Sequence, residues 1–209
     1  MISAHEALQR LKDGNCRFVA DERGSESYVS QAHRAELVAG QAPFAVILGC
    51  SDSRVPVEII FDQGLGDLFV IRVAGNIVAP SQVSSVEFAA ERFGTPLVVV
   101  LGHSRCGAIQ ATLDALLLPP QQRSRDPHSI VDRVRPSVEA LLETELRHDH
   151  DALVHHAVRA NIRASANHLR HGSQVIEQLI QSNGLLVVGA EYSLETGVVD
   201  FFDGLDQVS

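Results

Sequence analysis

Three cysteines in 209 residues are too few for a disulfide framework, so nothing in the chain asks for an oxidising compartment. Reduced thiols in a cytoplasmic setting follow as the expectation. No apolar run approaches the roughly 20 residues that span a bilayer, so no membrane partner is expected. Residues 1–6 carry neither the basic nor the apolar block of a secretion signal. A Lys/Arg-rich block is missing too. With 17 basic against 26 acidic residues the formal charge is −9, which argues against nucleic acid as a partner. On so acidic a chain, a small neutral or anionic substrate needs a local positive centre, and a bound metal ion supplies one.

What is present reads as one α/β domain. Hydrophobic residues make up 45% and charged residues 21%, values of a globular protein. A single domain over 1–209 is expected, with a helical arm at 1–40 and an α/β core at 43–209. Ser3 can cap a helix whose apolar positions Ala4, Ala7, Leu8, Leu11, Phe18 and Val19 mostly follow helical spacing. Gly14 reads as a weak point in it and Cys16 as a partly buried free thiol. Residues 21–29 are polar and irregular, and a second helix is predicted at about 30–39, ending at Gly40. An arm of this kind would be poorly buried in a monomer.

The period then changes. Continuous apolar runs at 44–48, 68–71, 97–101 and 185–188 read as strands buried on both faces. Helical patterns separate them at about 82–93, 108–117 and 129–182. This alternation predicts right-handed crossovers and a mainly parallel sheet of four strands flanked by helices. The segment 195–202 is predicted to add an antiparallel edge strand. Pro119 opens a polar surface loop. Six histidines of the last helical block (His148, His150, His155, His156, His168 and His171) read as solvent-facing rather than as a second metal site.

Two clusters directly follow buried strands: Cys50-Ser51-Asp52-Ser53-Arg54 and His103-Ser104-Arg105-Cys106. Strand ends are where α/β sheets build active sites. If 44–48 and 97–101 are parallel neighbours, Cys50 and His103 converge, and Cys106 follows on the next turn. Two sulfurs and a nitrogen are donors that zinc prefers, and Asp52 could fill or guard the fourth position. Gly107 lets the backbone approach this site closely and is grouped with the substrate-binding residues. Asp52 and Arg54, two apart, can pair through the planar guanidinium fork, which would let Asp52 orient a zinc-bound hydroxide. Two thiolates nearly neutralise zinc, so its water should be less acidic than at a three-histidine site, where the pKa falls to about 7. Activity is therefore expected to rise towards alkaline pH.

With both clusters and the intervening stretch from Gly64 to Asn76, the chain resembles the β-class carbonic anhydrases from its first helix to its last strand. The resemblance implies a zinc lyase that reversibly hydrates carbon dioxide to bicarbonate and a proton through zinc-bound hydroxide. It implies Cys50, His103 and Cys106 as zinc ligands and Asp52–Arg54 as the catalytic dyad. It assigns Gln41 as the glutamine whose amide contacts substrate and Phe69 as an aromatic wall of the carbon dioxide pocket. The segment from Ile77 to Gln82 is short and has no tyrosine, unlike the plant-type enzymes. That points to the compact bacterial-type subclass, in which an aspartate such as Asp52 can close the site by ligating zinc at lower pH. Arg72 and Tyr192 match two residues of a regulatory bicarbonate pocket, but Ile47 stands in place of its tryptophan. Family members assemble as dimers or larger, so a homodimer or homotetramer is implied. Hydrolysis of carbonyl sulfide or carbon disulfide at the same metal site, and a non-catalytic zinc or bicarbonate sensor, are the competing readings. A thioredoxin-like redox role is weaker, because Cys-x-x-Cys is absent.

Overall fold

Ser3 Oγ accepts from the Glu6 amide while the Glu6 carboxylate accepts from the Ser3 amide at 2.7 Å, a capping box that starts α1 (Ala4–Val19). The structure, a computed structural model, describes residues 2–22, 30–122, 126 and 129–205. The irregular stretch expected over 21–29 therefore lies, from residue 23 on, outside the described residues.

Helix α1 is not a loose arm. Ala4, Ala7, Leu8 and Leu11 bury against Ile47, Val99 and Val188 on one face of the sheet. Asn15 ties its end down, donating to the carbonyls of Ile60 at 3.2 Å and Gly197 at 2.9 Å and accepting from the Val199 amide at 2.8 Å. Two expectations are corrected here. Cys16 is exposed, because it lies on the solvent side of a helix whose other face is in the core. Gly14 is a contact point, not a weak one. A Cβ there would stand 1.8 Å from the Phe61 carbonyl oxygen, just past α3 (Val57–Ile60). Gly14→Ala should therefore force α1 off its seat and destabilise the protein by about 2–3 kcal/mol, despite the better helix propensity of alanine. Thermal unfolding checks this: a Tm at or above that of the parent would mean α1 is free to shift.

The second helix, α2 (Gln31–Leu37), is capped by Ser30 and ends short of the expected 39. None of its residues is fully buried, and Val38 after it is 87% exposed.

Strands β1 (Ala45–Gly49), β2 (Leu68–Arg72), β3 (Leu97–His103), β4 (Leu186–Tyr192) and β5 (Val199–Asp203) form one sheet in the order β2-β1-β3-β4-β5. The first four are parallel, and β5 runs antiparallel to β4 at the edge. Every residue of β1, β3 and β4 is buried. Full burial of a Val, Leu or Ile is worth about 1.5–3 kcal/mol, so the most continuous apolar runs take the interior positions. The edge strand β2 is mostly half-buried.

Side chains alternate between two cores. Ala45, Ile47, Val99 and Leu101 face α1, whereas Val46, Leu48, Val98 and Val100 face the opposite helical layer. That layer holds α4 (Pro80–Phe93), α5 (Gly107–Leu117), α6 (Ile130–Val138), α7 (His150–His171) and α8 (Gln174–Asn183). The long helical block is thus three helices joined by short 3-10 turns and a bend. Ser129, Asp149 and Ser173 cap α6, α7 and α8 through side-chain hydrogen bonds, which is why the chain restarts at those points. The polar stretch after Pro119 begins with a 3-10 turn at Pro120–Gln122, and residues 123–125 and 127–128 lie outside the described residues. Among the described residues no helix is long and apolar enough to cross a membrane.

Candidate metal centre

Parallel pairing in register, with Leu48 opposite Val100 and Gly49 opposite Leu101, brings the carboxyl ends of β1 and β3 level. Cys50 leaves β1, His103 is the last residue of β3, and Cys106 is the N-cap of α5. All three are buried, and their ligand atoms lie within 4.8 Å of one another. Among the described residues this is the one such group. The six histidines of the last helical block are exposed, as expected, and form none.

The donor set fits zinc. Cys50 Sγ and Cys106 Sγ are 4.0 Å apart, too far for a disulfide. Two sulfurs about 2.3 Å from one tetrahedral zinc stand about 3.8 Å apart, close to that spacing. His103 Nδ1 donates to the Ser104 carbonyl at 2.9 Å, which leaves Nε2 as the lone-pair nitrogen. Nε2 is fully buried and has no hydrogen-bond partner. A buried acceptor without a partner is costly, and a metal ion satisfies it.

The two thiols share their protons unequally. The Sγ–Sγ contact with Cys106, with the amides of Asp52 and Gly75, pulls the Cys50 thiol down from its ordinary value. Cys106 is pushed up by that same contact and by burial. The protons of the two thiols therefore belong to the pair, and the pair gives up the first more readily than an isolated thiol.

Beside this group, Asp52 and Arg54 pair as the two-residue spacing suggests. Arg54 Nε donates to Oδ1 at 2.9 Å and Nη2 to Oδ2 at 2.7 Å, and the Arg54 amide adds a third bond to Oδ1 at 3.0 Å. The guanidinium holds the Asp52 carboxyl far below the usual carboxylate range. Asp52 Oδ2 stands 3.8 Å from His103 Nε2, facing the ligand group without joining it.

Surrounding contacts stiffen both loops. Arg72, at the end of β2, donates to the carbonyls of Cys50 at 3.0 Å and Asp52 at 2.5 Å. Arg105, between two ligands, has φ +54°, an uncommon conformation for a side-chain-bearing residue. Glu195 accepts from Arg105 Nε at 2.6 Å and from Ser104 Oγ at 2.7 Å and so clamps it. Sequence reading missed Glu195, which carries no local signal, being about 90 residues from its partners.

Other expected site residues stand elsewhere. Gln41 is exposed and precedes β1, whereas Cys50 follows it, so the strand's length separates them within one chain. Phe69 is the second residue of β2 and sits among Phe88 and Phe93 of α4, with ring centroids 6.3 and 6.1 Å away. Gly107 is exposed, and nothing lies within 4 Å of where its Cβ would be. The close backbone approach expected there is absent, because α5 starts at the open rim of the site. Tyr192 faces Phe18 and Ile47 is buried in the core on the α1 side, while the Arg72 guanidinium is engaged on Cys50 and Asp52.

Comparison with known proteins agrees with this site. The carbonic anhydrase family model matches residues 45–199. Carbonic anhydrase 2 of Mycobacterium tuberculosis is 43% identical over 91% of this chain and 89% of its own length. A β-carbonic anhydrase of Aspergillus fumigatus superposes with a TM-score of 0.69 at 27% identity, covering 85% of each chain. One of two tetrameric β-carbonic anhydrases from Sordaria macrospora, 23% identical, shares the fold with a TM-score of 0.68 over 95% of both chains. Likeness that runs through the whole sheet as well as the two strand-end clusters has one source: the chain belongs to the β-class carbonic anhydrases.

Proposed function

We propose that this carbonic anhydrase uses zinc, held by Cys50, His103 and Cys106, for the reversible hydration of carbon dioxide, with Asp52 and Arg54 as the catalytic dyad. The observation that carries the reading is the buried, partnerless His103 Nε2 within 4.8 Å of two cysteine sulfurs and 3.8 Å from a fixed carboxylate. Zinc bound there would supply a Lewis acid that makes water a nucleophile, the more so as pH rises.

The protein's own groups do the rest. Asp52 is an acceptor only, because Arg54 keeps it ionised, so it orients the nucleophile towards carbon dioxide without taking its proton. Arg54 keeps Asp52 aimed, and Arg72 holds the backbone between Cys50 and Asp52. Gly107 leaves open space for substrate beside Cys106, whereas Phe69, level with Val46 and so most of a strand away from Cys50, would offer its apolar wall to the site of a partner copy. Asp52 would also be the gate: swung away from Arg54, its carboxylate would be within reach of a bound metal ion and would close the site at lower pH.

Self-association completes the site. Gln41 cannot serve the metal group of its own chain across β1, so its amide serves a partner copy. Helix α2 buries none of its residues, and Val38 and Leu65 expose 87% and 41% of their surface. The Sordaria relatives are tetrameric. Free, unpaired thiols favour a cytoplasmic setting.

Stopped-flow carbon dioxide hydration from neutral to alkaline pH, with zinc measured on the same sample, tests the reading. One zinc per chain and activity that rises with pH are expected, and a steep rise would point to gating by Asp52. Full zinc without hydration at any pH would overturn it.

A further inference from the structure

The turn after β2 reaches the metal centre from behind. In the 3-10 turn Ala74–Asn76, Gly75 takes φ +65° and ψ 21°, a left-handed conformation that glycine adopts without strain. Its amide N–H donates to Cys50 Sγ at 3.4 Å. Its carbonyl accepts from Asn161 Nδ2 at 2.7 Å. Asn161 lies in the middle of α7 and is 3% exposed, and its hydrogen bonds go to Gly75 and Ser137 rather than to Cys50, His103 or Cys106. Its own Oδ1 accepts from Ser137 Oγ at 3.2 Å, a hydroxyl shared with the Val134 carbonyl at 2.6 Å.

The neighbours of Asn161 show why a polar residue sits there. Val158, Ile162 and Leu169 of the same helix are core residues, so an aliphatic side chain would suit the layer. Such a residue would leave the Gly75 carbonyl buried and unpaired. On its other side the turn is already confined: a Cβ on Gly75 would lie 3.2 Å from Ala108 Cβ and 3.5 Å from Val134 Cγ2. Helices α5 and α6 thus fix one side of the turn, and the Asn161 amide fixes the other.

We propose that Asn161 is a positioning residue of the metal centre: by pinning Gly75 it keeps an amide N–H on the sulfur of Cys50. An N–H directed at a coordinating thiolate draws off part of its charge and holds its remaining lone pairs in one direction. Ser137 backs Asn161 by fixing which end of its amide faces Gly75. The proposal rests on the metal reading above, and its consequence lies in the metal–sulfur bond itself.

Cobalt(II) in place of zinc reports that bond through its sulfur-to-metal charge-transfer band in the near ultraviolet. In the full-length chain, Asn161→Ala is expected to shift the band and to weaken cobalt and zinc binding by roughly 10–100-fold in chelator competition. Ser137→Ala should move both quantities in the same direction by less. Leu169→Val, further along the same helix, controls for general loosening: its Tm falls while spectrum and affinity stay those of the parent. An Asn161→Ala protein with the parent's spectrum and affinity overturns the proposal, whatever its Tm. A Leu169→Val protein that shifts as far as Asn161→Ala overturns it too. Metal binding without carbon dioxide hydration in the parent would remove the catalytic reading but leave this effect measurable. A parent that takes up no cobalt would sink both.

Discussion

Replacing Cys106 with serine is expected to leave far less than one zinc per chain and to lower carbon dioxide hydration by roughly a thousandfold or more, about 4 kcal/mol of barrier. Serine is nearly the same size, so the N-cap of α5 keeps its shape, but an alcohol does not ionise near neutral pH and is a harder donor than sulfur. The loss is compounded. Cys106 is the main reason the Cys50 thiol is held low, so Cys50 should climb back towards an ordinary thiol once that partner weakens. A site that needs deprotonated ligands then competes worse against protons, and the deficit should grow as pH falls. His103 Nε2 is left buried and without a partner. Zinc analysis, stopped-flow hydration and thermal unfolding with and without added zinc check the result together. The parent should gain Tm with zinc by mass action, and the variant should gain little. A variant with full zinc and parental activity would mean that Cys106 is not a ligand.

Arg54→Ala should behave in the opposite way with respect to metal. The variant is expected to keep one zinc per chain and to lose roughly 10–100-fold in kcat/KM. Among the described residues Arg54 hydrogen-bonds none of Cys50, His103 and Cys106, but it supplies all three hydrogen bonds given to the Asp52 carboxylate. The substitution removes two of them and keeps only the one from the backbone amide. Asp52 is then free to turn away from the substrate side and towards the metal. The sign of the pH effect follows. In the parent the Asp52 carboxyl is depressed below its unfolded value of 3.8, so its contribution to stability is present above that value and fades as pH falls through the folded one. The variant gives up that contribution, so any stability difference from the parent lies above that value and vanishes as pH falls. At neutral pH its Tm should stay close to that of the parent, because an exposed ion pair adds little to stability. An activity loss without a Tm loss separates an orienting role from a structural one, and full activity in this variant would defeat the dyad.

Much of this site was legible before any coordinates. Two of the apolar runs, long enough for strands but too short for helices, are each followed by a cluster rich in Cys or His, which already places Cys50 and His103 at strand ends with Cys106 one turn on. The Asp52–Arg54 pair was legible too, since two residues in one loop need no tertiary information to meet. Gly14 shows where such reasoning stops. Within its helix it reads as a propensity defect, and only the Phe61 carbonyl 1.8 Å from its missing Cβ explains it. Cys16 was misplaced for a related reason: helical spacing alone did not say which face of α1 the sheet would take.

The donor chemistry and the strand-helix alternation are local properties, so the sequence by itself determined the fold class, the meeting of Cys50, His103 and Cys106, and the Asp52–Arg54 ion pair. Tertiary structure decided everything that depends on which distant segments meet. It put Gln41 at the far end of β1 from Cys50, Phe69 among the aromatic rings of α4, Glu195 on the loop between two ligands, and Asn161 against a turn 86 positions away. The tautomer of His103 and the unequal sharing of protons by Cys50 and Cys106 belong to the same class. Residue types specify which bonds a side chain can make. Burial makes those bonds obligatory, and only the folded chain determines which partners are within reach.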